Sequence, residues 1–122
     1  MNEHTETTTS KDGTQIFVRM MAHPEASATL LFVHGYGEHS GRYHHVLEHF
    51  HAKGYDVAAL DYRGHGKAQG PRGHVERFNQ YSEDVDAFIR LVTARATGDR
   101  RTYLIGHSLG GLIVANYLLE HP

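Results

Sequence analysis

The sequence predicts an α/β fold, a mostly parallel sheet with helices on both faces, entered through an antiparallel hairpin. Three observations carry this. Short continuous apolar runs occur at residues 29–33 (TLLFV), 56–60 (DVAAL) and 102–105 (TYLI). Segments with helical spacing of apolar residues separate and follow them. Glycine-bearing turns stand at most of the junctions. Alternation of this kind calls for parallel strands linked by helical crossovers.

Taken in order, residues 1–21 read as the hairpin. Lys11, Asp12 and Gly13 form a turn signal between a threonine-rich stretch and residues 15–20, where Ile16 and Val18 alternate with Phe17 and Arg19. The run 29–33 suits a strand buried on both faces and ends at His34 and Gly35. Residues 43–53 place Val46, Leu47 and Phe50 on one helical stripe, and Gly54 stands just past the helix end. A second buried strand at 56–60 leads into a glycine-rich loop, 64–73. Tyr81, Val85, Phe88, Ile89 and Val92 then mark the inner face of a helix, with Glu83, Asp84, Asp86 and Arg90 expected outside. Residues 102–105 are expected as a third buried strand. Residues 109–119 read as a helix apolar nearly all round and therefore central.

Composition narrows the function classes. A chain of 122 residues, 39% hydrophobic and 21% charged, reads as one ordinary globular domain rather than a disordered segment. Its net charge of -2 offers no basic footprint for nucleic acid. Without cysteine it has neither a disulfide framework nor a thiolate metal site. Residues 1–10 lack the apolar core of a signal peptide, and no later run is long enough to span a bilayer, so a cytoplasmic location is expected. Twelve histidines would carry the chain toward positive charge below about pH 6.

The chemistry centres on Gly106-His107-Ser108-Leu109-Gly110, a G-x-S-x-G between a strand and a helix. Five positions with two free are weak alone, but this location is the one the motif's mechanics require. The sharp turn lifts the Ser108 hydroxyl above the sheet, and Gly106 and Gly110 remove side chains that would collide. An ordinary glycine-rich turn with a capping serine is the bland alternative. His34-Gly35-Tyr36-Gly37 follows the first buried strand, where an α/β-hydrolase builds the other half of its oxyanion hole. The backbone N–H groups of Tyr36 and Leu109 are the expected donors, with His34 bracing the loop and Gly35 permitting close approach.

The stretch from His34 to Tyr43 (HGYGEHSGRY) resembles the HGxGEHxxRY segment of monoacylglycerol lipases and related lysophospholipases. Residues 61–66 (DYRGHG) and 70–75 (GPRGHV), followed by Phe78 and Tyr81, are similar to further segments of that family. Ala68 departs from it, standing where the family loop usually has serine. The resemblance implies a serine ester hydrolase acting on a small lipid ester through an acyl-enzyme on Ser108, with no metal and no organic cofactor.

A serine nucleophile needs a histidine base and an acid to orient it, and in this fold both follow the nucleophile. After Ser108 come only Glu120 and His121, at the far end of the helix that Ser108 begins, roughly 18 Å away at 1.5 Å rise per residue. The triad acid and histidine are therefore expected to lie outside this chain, which reads as the N-terminal half of a hydrolase domain. Such a piece would leave the strand at 102–105 with an open edge. It would then associate with itself or with the missing half in trans, besides a transient contact with a membrane surface. His39, His65 and His74 sit on loops that border the site, but no spacing rule brings them to Ser108, and His107 should point away. Rival readings are another hydrolase on the same scaffold, such as a peptidase or thioesterase, and an inactive assembly module. A zinc site from His45 and His49, four apart on a helix, is a third; it lacks an HExxH and an assured third ligand.

Overall fold

The computed structural model describes residues 3–96 and 100–122. Five strands form one sheet in the order β1-β2-β4-β3-β5, where β1 is His4–Thr9, β2 Gln15–Met21, β3 Ala28–Val33, β4 Asp56–Asp61 and β5 Arg101–Gly106. The first two make the expected hairpin, with Thr9 opposite Gln15, and β2 runs antiparallel to β4. The strands β4, β3 and β5 are mutually parallel. Helix α1 (His44–Ala52) links β3 to β4 after a 3-10 turn at Ser40–Tyr43, α2 (Asn79–Arg95) precedes β5, and α3 (Leu109–Glu120) follows it.

Alternation along the strands divides the core between the two faces. Leu30 and Phe32 of β3 with Val57 and Ala59 of β4 meet Leu47 of α1. Leu31, Val33, Ala58 and Leu60 point the other way, against Val85, Phe88 and Val92 of α2 and Ile113 and Val114 of α3. Side chains alternate with period two, so β3 and β4 present apolar residues to helices on both faces, and every residue of the two strands is buried. Gly54 adopts φ +97° just beyond α1, the left-handed conformation that lets the chain leave a helix sharply.

Three expectations are corrected. Residues 102–105 form a strand, but no residue of β5 is buried, since β5 is the sheet's edge and pairs only with β3. The final helix is apolar all round in sequence but covered on one side only. Ile113 and Val114 are buried, whereas Leu112 and Leu118 are exposed and Leu119 is 82% exposed. Asp84, expected outside, is wholly buried. Its Oδ2 accepts the Arg63 backbone N–H and Nε, both at 3.0 Å, and its Oδ1 accepts Arg63 Nη2 at 2.8 Å. Arg63 reaches on to Asp12 Oδ2 at 2.7 Å, so one guanidinium joins the hairpin turn, the loop after β4 and α2. A bidentate guanidinium pair with its remaining donors satisfied is the form in which a buried charge is tolerated.

Candidate active site

Ser108 stands between the end of β5 and the start of α3 with φ 56° and ψ -119°. Among the described residues it alone, apart from glycines, has positive φ. Such a backbone costs an L-residue on the order of 1–3 kcal/mol and persists only where the surroundings impose it. Here they do. A Cβ on Gly106 would run into the Gly110 carbonyl, and one on Gly110 into the carbonyl oxygens of Val33 and His34. The two motif glycines thus let the turn fold onto itself and onto the end of β3. The next glycine, Gly111, gives no comparable relief: a Cβ there meets the Gly106 oxygen at an ordinary 3.5 Å. The His107 N–H donates to Val33 O at 3.0 Å, and the first helical bonds run from Gly110 N to His107 O and from Gly111 N to Ser108 O, both 2.9 Å. Ser108 itself is exposed.

The loop after β3 closes against this turn. A Cβ on Gly35 would lie 3.3 Å from Ser108 Cβ and 3.2 Å from His107 O, so glycine is what allows the approach. His34 is buried and stacks on Tyr62 with ring centroids 4.1 Å apart. Its Nδ1 donates to Gly35 O at 2.7 Å, and the Glu38 N–H donates to the same oxygen at 3.2 Å. Burial pushes the His34 ring below the ordinary histidine range, so it is neutral at pH 7 and donates from one nitrogen. In a trans peptide the C=O and the next N–H point in opposite directions. Holding the Gly35 carbonyl inward therefore turns the Tyr36 N–H outward. Among the described residues neither the Tyr36 nor the Leu109 N–H has a protein acceptor. The Tyr36 ring is 63% exposed and its hydroxyl donates to Gly73 O at 3.1 Å, tying this loop to the glycine-rich one.

Two acids without an assigned part in the sequence reading organise these loops. Asp61 Oδ1 accepts the Ser40 N–H at 2.5 Å and Oδ2 accepts the Lys67 N–H at 3.0 Å. Glu38 Oε2 accepts the Gly35 N–H at 3.0 Å and His107 Nδ1 at 2.9 Å. The His107 bond, with the Gly35 N–H behind it, outweighs burial and holds the Glu38 carboxyl below the ordinary carboxylate range. Both acids lie inside the family-like segments, but each has one partner far away in sequence, His107 for Glu38 and Ser40 for Asp61, which spacing could not reveal. Ala68 is buried, and its carbonyl accepts from Arg72.

The remaining histidines lie elsewhere. His65 is buried, its ring edge-on to Tyr36 at 5.4 Å and its Nδ1 bonded to Arg63 O at 3.0 Å. His39 and His74 are exposed, and His74 bonds Glu76. His121 stacks on Tyr117 and donates to its carbonyl, at the end of α3 remote from Ser108. It borders an open groove of about 880 Å³ with Thr8, Arg77 and Asp86, which Ser108 does not line. Among the described residues no three histidine or acid side chains are grouped to hold a metal ion, the His45 and His49 face included.

Residues 24–122 match the family model described as serine aminopeptidase, S33. A monoacylglycerol lipase of Mycolicibacterium smegmatis is 42% identical over 96 residues, 76% of this chain and 33% of that protein. The human monoglyceride lipase is 34% identical over 112 residues, 91% of this chain and 37% of that protein. The chain thus spans about a third of these relatives' length. An esterase from Exiguobacterium antarcticum superposes with a TM-score of 0.77 at 25% identity, over 94% of this chain and 40% of its own. With its mixed sheet, two helical layers and strand-serine-helix turn, the chain belongs to the serine aminopeptidase S33 family of α/β-hydrolases.

Proposed function

We propose that this chain carries the nucleophile and oxyanion-hole half of a serine carboxylic-ester hydrolase of monoacylglycerol lipase or lysophospholipase type. The observation that carries the reading is the Ser108 backbone at φ 56°, a strained turn that presents the hydroxyl beside a loop with a free N–H. Ser108 Oγ attacks the ester carbonyl and its proton passes to a base. The carbonyl oxygen becomes an oxyanion facing the N–H groups of Tyr36 and Leu109. Each such donor supplies about 3–4 kcal/mol in the transition state. Collapse releases the alcohol and leaves an acyl-enzyme that water cleaves. No metal or organic cofactor takes part.

The base and its acid are supplied, on this reading, by residues beyond the 122 described by the sequence, because the fold's chain order puts them after the nucleophile. Glu120 and His121 are excluded by position, and His121 is engaged with Tyr117. The open β5 edge and the exposed leucines of α3 are where the complementing half docks, or where two chains pair when it is absent. A small lipid ester is the substrate, with a passing membrane contact, in the cytoplasm. No helix among the described residues is long and apolar enough to cross a membrane.

A fluorophosphonate probe tests the serine. It should label Ser108, and Ser108→Ala should abolish the signal. The test is read on the complemented enzyme, where base and acid are supplied; labelling there no faster than free serine would instead favour an inactive assembly scaffold. That second reading draws on the lack of any histidine bonded to Ser108 among the described residues. The family description names an aminopeptidase, so parallel panels of monoacylglycerol, lysophospholipid and aminoacyl amide substrates on the complemented enzyme decide among esters and amides. Hydrolysis of amides alone would overturn the lipase assignment.

A further inference from the structure

We propose that Glu38 is a positioning residue, the clasp that holds the oxyanion loop in its working shape and fastens it to the nucleophile turn through His107. The role rests on the reading of Tyr36 N–H as an oxyanion donor. Residue 38 grips Gly35 at both ends: its backbone N–H donates to Gly35 O at 3.2 Å, and its carboxylate accepts the Gly35 N–H at 3.0 Å. With His34 on the same carbonyl at 2.7 Å, both peptide groups of Gly35 are held by hydrogen bonds. The Tyr36 N–H is the outward end of the second of them, so its direction follows from these contacts.

The same carboxylate oxygen accepts His107 Nδ1 at 2.9 Å, across 69 residues of chain. His107 immediately precedes Ser108 and is itself moored to β3 by its N–H on Val33 O. One oxygen therefore joins the strand-end loop carrying one donor to the turn carrying the nucleophile and the other donor. The contact is charge-assisted, and the Glu38 carboxyl is held in its ionised form by both donors. The two loops otherwise meet where Gly35 abuts the turn, where Gly110 packs on the Val33 and His34 carbonyls, and through the His107 N–H on Val33 O, so Glu38 adds the one side-chain link between them among the described residues. An oxyanion hole works through donors fixed before the charge develops, so a link of this kind acts on the rate of attack rather than on binding.

Glu38→Ala and Glu38→Gln separate this role from a merely structural one. In Glu38→Ala the rate constant for phosphonylation of Ser108 within the bound probe complex should fall about tenfold to a hundredfold, with probe affinity unchanged. Glu38→Gln keeps an amide oxygen for the Gly35 N–H and should recover most of that rate. Amide exchange by NMR reads the clasp without reference to reactivity: the Gly35 N–H should exchange at least tenfold faster in Glu38→Ala and near the parent rate in Glu38→Gln. Unchanged Gly35 exchange in Glu38→Ala overturns the clasp, as does an unaltered phosphonylation rate. These rates are read on the enzyme complemented with its second half; if that enzyme does not label at all, the nucleophile reading fails, and the clasp is then decided by the exchange measurement alone.

Discussion

The two ends of the parallel sheet respond differently to the same kind of sequence. The strands β3 and β4 are short apolar runs and are buried from end to end. The strand β5 is also an apolar run, parallel and in register with β3, yet Tyr103 and Ile105 stand 47% and 40% exposed. Helix α3, richer in apolar residues than α1 or α2, leaves Leu112, Leu118 and Leu119 uncovered. Burial depends on neighbours as much as on residue type. A strand flanked on both sides is sealed by two helical layers, whereas an edge strand with the same composition keeps an open ladder and bare flanks.

That contrast breaks most directly on a matched pair of truncations. Leu60→Ala, in the sealed centre, should cost about 2–5 kcal/mol in denaturant unfolding. Leu119→Ala, at the open flank, should stay within about 0.5 kcal/mol. Equal costs would mean that α3 is covered in solution. Acid should act on the closed side next. His34 has a folded pKa pushed down by burial, so the unfolded chain takes up its proton first, and stability present above about pH 6.5 is lost as pH falls. Carboxylates held low add to this further down: Glu6, at about 2 through its hydrogen bond to Arg95, and Asp12, through Arg63. Their stability is present above the ordinary carboxylate range and fades on further acidification. The melting temperature should therefore decline from pH 7 to pH 3, and a flat profile would remove these groups from the ledger of stability. The smallest effect on folding belongs to Ile105→Lys, within about 0.5 kcal/mol. It should nonetheless lower self-association in sedimentation, because a charge on an edge strand disfavours pairing.

The same distinction explains what the sequence made legible. Hairpin, strand order of appearance and helix positions could be read because period and glycine punctuation are local signals. The turn at Ser108 was readable because a short motif sat between a strand and a helix, and Gly106 and Gly110 have the close approaches that the motif implies. Asp84 was misplaced because a helical wheel puts an acid outside unless its partner is known, and Arg63 lies in a loop 21 residues earlier. Glu38 and His107 escaped for the same reason over 69 residues. Apolarity alone predicts a buried β5 and a central α3; only the reading of the chain as half a domain predicts the open edge that β5 has. Local chemistry is written in order along the chain, while long-range pairing and cover are properties of the assembled sheet.

One consequence follows from the φ of 56° at Ser108. Glycine would sit in that conformation without penalty, so Ser108→Gly should be the more heat-resistant protein while lacking the hydroxyl. A library sorted only for thermal survival would thus drift toward glycine at this position. Its most robust survivors would be chemically mute.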